Sequence, residues 1–305
     1  MAVSPTSGVK DYDSMGTSRS ILISGCSTGI GHATALHLKE RGWRVFAGAR
    51  KDADLRMLHD HGLEAVQLDV DSSASIAATV ETVLASTGGE LDALFNNAGF
   101  GQPGAVEDLP RRALREQFET NLFGAQELTN QALPAMRRQG HGRIVYNSSV
   151  LGFAALPYRG AYVASKFAME GVVDTLRMEL RGTGIHVSLV EPGPIVSRFR
   201  ANAFARYREH IDAANSAHAR AYQAMERRLT APDSPGGFTL EASAVARKVE
   251  HALVSRRPKP RYYVTTPTWL FGILRRFLST RAMDRVLLAS TAGERRLSND
   301  QDDRR

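Results

Sequence analysis

The feature that most restricts the fold is alternation: short apolar segments separated by segments of helical length recur along the chain from residue 21. The apolar segments are ILIS at 21–24, WRVFAGA at 43–49, EAVQLDV at 64–70, LDALFNNAG at 91–99, GRIVYNSS at 142–149 and IHVSLVEPG at 185–193. Helices are expected near 29–42, 52–60, 72–86, 111–138, 160–181 and 241–255, with a further short strand, RYYVT, at 261–265. Strands separated by helices pair in parallel through right-handed crossovers. Strands this apolar are covered on both faces. The pattern predicts an α/β fold, a doubly wound parallel sheet in three layers.

No internal repeat, low-complexity block or interdomain linker interrupts the 305 residues. The expected organisation is a disordered lead-in at 1–19, one domain at 20–266 with an irregular excursion at 197–237, a C-terminal amphipathic helix at 267–292 and a loose tail at 293–305. The first 20 residues lack the apolar run of a signal peptide. Cys26, the single cysteine, excludes an intramolecular disulfide, and the expected compartment is the cytoplasm. The net charge of +7 is local: between 255 and 285, eight basic side chains stand against one acid, Asp284, which equals the whole excess. With no recognition motif beside it, that basic stretch does not make the chain a nucleic-acid binder.

Two chemistries compete for GCSTGIG at 25–31. Gly25-Cys26-Ser27-Thr28-Gly29 matches G-x-S-x-G, the elbow that exposes a nucleophilic serine in α/β-hydrolases. That elbow needs an oxyanion loop from an earlier strand, and only about 22 mostly polar residues precede the turn. The alternative is a glycine turn that admits a dinucleotide phosphate at a helix N-terminus. It requires a first strand near the start of the chain, where ILIS lies. The spacing is G-x-x-x-G-x-G rather than G-x-G-x-x-G.

A second constellation follows. Tyr162 and Lys166 in YVASK are four residues apart on one helix face. Ser149 precedes them at the carboxyl end of the fifth strand, the edge where open α/β sheets bind ligands. A phenol with an ordinary pKa of about 10 is a poor acid or base at neutral pH. A neighbouring lysine cation is expected to lower it, and a serine hydroxyl to hold a substrate oxygen beside it. No metal-ligand pattern is present.

With NNAG at 96–99, NLFG at 121–124 and PGPIVS at 192–197, these motifs make the chain resemble the short-chain dehydrogenase/reductase family over about residues 20–265, with a Rossmann-like fold. The resemblance implies that Ser149 orients the substrate, Tyr162 donates the proton, Lys166 binds the nicotinamide ribose and Asn121 helps hold a relay water. It implies cofactor contacts from Gly25, Ser27, Thr28, Gly29, Ile30, Gly31, Asn97, Ala98 and Gly99. Asp69 and Val70 fall beside the adenine, Pro192, Gly193, Ile195 and Ser197 over the nicotinamide, and Asn96 braces the sheet.

An acid at the end of the second strand would favour NAD. Arg50 and Lys51 stand there instead and suit a 2′-phosphate, so the expected cofactor is NADP(H). Phe100, Val150, Leu151, Phe153, Phe199 and Phe204 are expected to wall the pocket, with Pro157 and Tyr158 at its entrance and Arg159, Arg198 or Arg200 within reach of an acidic tail. An apolar pocket points to a lipophilic carbonyl or alcohol. EPGPI, RGAYVASKFAMEG and PKPRYYVTTPTW make the chain similar to bacterial NADP-dependent aldehyde reductases of the family. Steroid- or retinoid-type hydroxyl dehydrogenases, and an NADP(H)-sensing protein without turnover, are the alternatives.

In TWLFGILRRFLSTRAMDRVLL, Trp269, Leu270, Ile273, Leu274, Phe277 and Leu278 recur at helical spacing, interrupted by Arg275 and Arg276. The segment is too short and charged to span a bilayer. It could cap the pocket, the favoured reading, or line a subunit interface, or lie peripherally on a membrane through 268–289. A homo-oligomer would form through the helices near 111–138 and 160–181.

Overall fold

The computed structural model describes residues 18–231 and 237–291. The tail expected at 293–305, nearly all of the lead-in and positions 232–236 of the excursion lie outside the described residues.

Seven strands form one sheet: β1 (Ser20–Ile23), β2 (Arg44–Ala49), β3 (Glu64–Gln67), β4 (Ala93–Asn96), β5 (Gly142–Asn147), β6 (Ile185–Glu191) and β7 (Arg261–Tyr263). Every neighbouring pair is parallel, in the order β3-β2-β1-β4-β5-β6-β7. The helices between them are α1 (Gly29–Glu40), α2 (Asp52–Asp60), α3 (Ser73–Ser86), α4 (Arg111–Phe118), α5 (Gly124–Gln139), α6 (Gly160–Glu179), α7 (Phe199–His210), α8 (Ala219–Thr230), α9 (Ala242–Val254), α10 (Thr266–Phe277) and α11 (Thr280–Ser290).

The period of two along each strand builds both cores. Ile21 and Ile23 point to one face, where they pack with Ala35 and Leu38 of α1, Leu58 of α2 and Val245 and Val249 of α9. Leu22 points to the other, with Ile76 and Val80 of α3, Leu128 and Met136 of α5 and Met169 and Val173 of α6. The three-layer Rossmann-like arrangement expected from the alternation is the arrangement found. Strand order reverses between β1 and β4, and such a switch point opens a crevice at the carboxyl ends. The turns after both strands therefore face the same opening.

Two elements differ from expectation, and a third is defined more closely. The helix expected at 111–138 is divided by a π turn, Glu119–Phe123, so that Asn121 lies in the widened stretch. Such bulges break the hydrogen-bond ladder and re-aim side chains. The excursion at 197–237, expected to be irregular and partly helical, contains α7 and α8, whose Ala203, Tyr207, Tyr222, Met225 and Leu229 form a core of their own with Leu109 and Ala161. The single amphipathic helix expected over 268–289 is two helices that break at Leu278–Ser279. Phe271 of α10 and Met283 and Leu287 of α11 close over Ala154, Val150, Phe153 and Leu156, the segment just after Ser149. Burying apolar side chains from both helices on one platform outweighs continuing a straight helix that would bury only one stripe.

Candidate active site

The glycine turn and the NNAG turn interlock. Gly25 (φ +72°) and Gly29 (φ +62°) occupy the left-handed region that side chains disfavour. A Cβ on Gly25 would stand 2.8 Å from Ala98 Cα, and one on Gly31 would stand 2.2 Å from the Gly25 carbonyl oxygen. Ser24 Oγ accepts from the N–H groups of Asn97 and Ala98, each at 3.0 Å. Asn97 Nδ2 donates to the carbonyls of Ser24 and Gly25, also at 3.0 Å. Helix α1 starts at Gly29, and its N-cap, Thr28, makes no side-chain capping bond and is followed by no acid in the first turn. Its first N–H groups and dipole are left for an external anion. Among the described residues Ser27 has no hydrogen bond to a histidine or carboxylate, so the hydrolase reading finds no partner.

Around this cradle the other expected cofactor residues converge. Arg50 Nη1 is 3.9 Å from Asp69 Oδ1 and 3.9 Å from Asp71 Oδ2, held loosely by two acids with more than half of its side chain exposed. Lys51, also exposed, is the N-cap of α2. The Asp69 N–H donates to Ser75 Oγ, and Val70 is buried with its carbonyl against Gly124, where a Cβ would stand 2.0 Å away. The Val150 N–H donates to the Pro192 carbonyl at 2.8 Å. A Cβ on Gly193 would meet Thr265 Oγ1 at 2.1 Å, and one on Gly29 would meet Ser197 Cβ at 3.2 Å. Ile195 forms an isolated bridge with Leu240. The segment 192–197 thus runs from the Ser149 turn to the glycine turn. Glycines without room for a side chain, an uncapped helix start and flanking cations fit a phosphorylated dinucleotide.

Ser149 starts a short 3-10 turn (Val150–Gly152), and its Oγ accepts the Leu151 N–H at 3.1 Å. Its hydroxyl is also hydrogen-bonded to the Tyr162 phenol. Tyr162 packs edge-on against Phe199, with ring centroids 5.4 Å apart. Lys166, buried, directs Nζ to the Asn147 carbonyl at 2.7 Å and lies 5.8 Å from the Tyr162 ring centroid. Asn121 Oδ1 accepts the Phe100 N–H at 3.0 Å, while its Nδ2 donates to Ser165 Oγ at 3.0 Å and to the Phe100 carbonyl at 3.1 Å.

The electrostatics correct one expectation. Lys166 does not depress the Tyr162 pKa here: burial pushes the phenol up to about 12, against a smaller lowering by the Ser149 bond. The lysine is aimed at a backbone carbonyl, and burial lowers its own pKa to about 8 despite the opposing charge of Glu170. Desolvation disfavours both charged forms at once. The phenol is accordingly neutral at physiological pH.

One turn beyond Lys166 on α6 lies a buried carboxyl pair. Burial raises the pKa of both Glu170 and Glu191, and the neighbouring Glu170 carboxyl helps raise Glu191 to about 9. Arg261 of β7 bridges them to Asp174, and Ser148 Oγ donates to Glu170. A cleft of about 430 Å³ opens beside this cluster between α6 and α10, lined also by Phe153, Phe167, Tyr263 and Gly272. None of Asn121, Ser149, Tyr162 or Lys166 lines it, so it is separate from the reaction centre.

The pocket walls are partly as expected. Phe199 covers Tyr162, and Phe100 is held by Asn121 and capped by the Arg206 guanidinium at 4.8 Å. Phe204 and Tyr158 join the α7–α8 core. Val150 and Phe153 instead pack beneath the C-terminal helices, because the 3-10 turn carries them away from Tyr162. Sequence reasoning missed Ser24, Asn147 and Ser165. The Asn147 contribution is a carbonyl, for which residue type carries no signal; Ser24 ends an apolar strand beside the glycine turn and was legible.

The geometry defines a dinucleotide-dependent oxidoreductase site. Residues 19–208 match the family model described as short chain dehydrogenase. The chain is 44% identical, over 88% of its length and 94% of the relative's, to "Uncharacterized oxidoreductase YbbO" of Escherichia coli (strain K12). Two solved structures share the fold. A short chain dehydrogenase from Burkholderia cenocepacia J2315 in complex with NADP has a TM-score of 0.69 and 22% identity, covering 89% of this chain and 98% of that one. A short chain dehydrogenase/reductase from Burkholderia phymatum in complex with NAD has a TM-score of 0.70 and 24% identity, covering 85% and 92%. The chain belongs to the short-chain dehydrogenase family, and is an oxidoreductase whose fold binds a nicotinamide cofactor and a small-molecule substrate.

Proposed function

We propose that the chain reduces a lipophilic aldehyde or ketone to the alcohol with NADPH, reversibly, and that Tyr162 supplies the proton. The observation that carries this reading is the neutral phenol of Tyr162, hydrogen-bonded to Ser149 and one helical turn from Lys166, beside the interlocked glycine turns. When bound, the reduced nicotinamide supplies a hydride to the carbonyl carbon. The chain's own groups do the rest. Ser149 holds the carbonyl oxygen, Tyr162 gives that oxygen its proton as negative charge develops, and solvent restores the proton to the phenol, while the Lys166 ammonium would hold the nicotinamide ribose. Asn121 fixes Phe100 and the loop that faces the substrate.

Arg50 and Lys51 support NADPH over NADH: two cations face the adenosine end, and Arg50 is held by its two acids only at 3.9 Å. Phe199 and Phe100 support an apolar substrate. A homo-oligomer belongs to the same reading, through faces that carry the exposed Phe123, Phe167 and Met178, although Arg275 of α10 already stacks on Phe167 at 5.5 Å. The testing experiment follows NADPH oxidation across aldehydes graded in chain length, with steroid and retinoid ketones alongside. Turnover that rises with chain length is expected. Faster turnover of the ring ketones would reassign the substrate, and no oxidation across the panel would favour a cofactor-sensing protein.

A further inference from the structure

Helix α10 has two faces of opposite fate. Phe271 is buried against the segment that follows Ser149, and Thr268 and Gly272 are buried beside Thr265 and Tyr263. On the opposite side Trp269, Leu270, Ile273 and Phe277 are 52%, 50%, 52% and 81% exposed. At about 100° per residue those four fall within an arc of about 100°, one continuous apolar stripe. A stripe of large side chains left in water on an otherwise packed helix marks a surface built for a partner.

The neighbouring charge indicates which partner. Arg276 is exposed on the edge of the stripe, and Arg281 and Arg285 are exposed on one face of α11 together with Leu288. Among the described residues none of these three arginines has an ion pair. Arg275 is exposed as well, over the Phe167 ring. Asp284 is the single acid between 255 and 285. A protein partner matched to this surface would have to combine a broad apolar floor with dense acidic charge on its rim; an anionic lipid surface has both by construction.

We infer that α10 and α11 dock the enzyme on the surface of an anionic bilayer, with Trp269, Leu270, Ile273 and Phe277 in the interfacial region and the arginines at the headgroups. No described helix is long and apolar enough to cross a membrane, so the contact is peripheral. The buried faces of the same helices rest on residues 150–156, which lead out of the catalytic serine turn. The inference rests on a lipophilic substrate only for its purpose: docking there sets the helices that cover the segment after Ser149 against the phase in which such a substrate dissolves.

The test uses the full chain without substrate or cofactor, in flotation with phosphatidylcholine vesicles and with vesicles that also contain phosphatidylglycerol. The expected result is flotation with the anionic vesicles alone, weakened by salt, with a blue shift of tryptophan emission. Trp269 reports that shift, because Trp43, the other tryptophan, is buried in the α1–α2 layer. Phe277→Asp should abolish the shift, and Arg281→Glu with Arg285→Glu should weaken partitioning roughly fivefold or more per charge reversed. These side chains are exposed, so the fold survives the changes; circular dichroism verifies it. No flotation with either vesicle, or flotation indifferent to lipid charge and to Phe277→Asp, would overturn the inference. So would a fall in molecular mass on Phe277→Asp with vesicle binding unchanged, which would give the stripe to a second copy. A wrong substrate class leaves these readouts untouched, and their failure leaves carbonyl reduction standing.

Discussion

Tyr162 and Lys166 meet as the i,i+4 spacing requires, but their charge states depend on burial, which the spacing does not encode. A neutral phenol that must give up a proton makes one clear demand. Tyr162→Phe should lower kcat for carbonyl reduction by roughly a hundredfold or more while Kd for NADPH, read by fluorescence titration, changes little. The lysine has a pH signature. With its pKa lowered to about 8, the ammonium is lost as pH rises through that value, so kcat/KM for reduction should fall above about pH 8. Lys166→Arg, which cannot be deprotonated there, should remove that fall from the pH profile whatever rate remains. At the cofactor end, Arg50→Asp should cost NADPH roughly ten- to hundredfold in kcat/KM relative to NADH, the loss of one charge-assisted bond plus the repulsion that replaces it. An unchanged ratio would remove Arg50 from cofactor selection.

At the scale of elements, the strands and most helices were legible because buried parallel strands must be apolar nearly throughout, as ILIS and GRIVY are. The π turn at Glu119–Phe123 was not: nothing in ETNLF marks it, since it is imposed by packing of Thr120 and Asn121 against α6 and the NNAG loop. The break between α10 and α11 had a signal that went unread, the Ser279-Thr280 pair, which resembles a helix start more than a helix interior. The glycine turn was legible as a motif, yet its interlock with Ala98 and Asn97 needed the fold. That interlock gives the turn its intolerance. Gly31→Ala forces a methyl against the Gly25 carbonyl and should weaken NADPH binding roughly ten- to hundredfold, with far-UV circular dichroism retained.

At the scale of the molecule, Glu170 and Glu191 link stability to pH. The folded chain keeps a proton on the pair through neutrality, whereas the unfolded chain releases it above about pH 4.3. The folded state then binds more protons, so this contribution to stability falls as pH rises, by up to about 1.4 kcal/mol per unit. Urea midpoints at about pH 5.5 and about pH 7.5 should fall more for the wild type than for Glu191→Gln, whose amide carries no titrating proton. That window lies below the pKa of Lys166, whose lowered value acts in the opposite direction at higher pH. Equal falls would mean that the pair is not protonated.

Arg261, the residue that ties this pair and Asp174 to β7, stands about a hundred positions after Tyr162. During synthesis the interlocked glycine turn is therefore spelled out long before the clamp on the helix that carries Tyr162 and Lys166. A ribosome-bound chain short of that arginine holds Ser149, Tyr162 and Lys166 and lacks the strap on the helix that carries two of them.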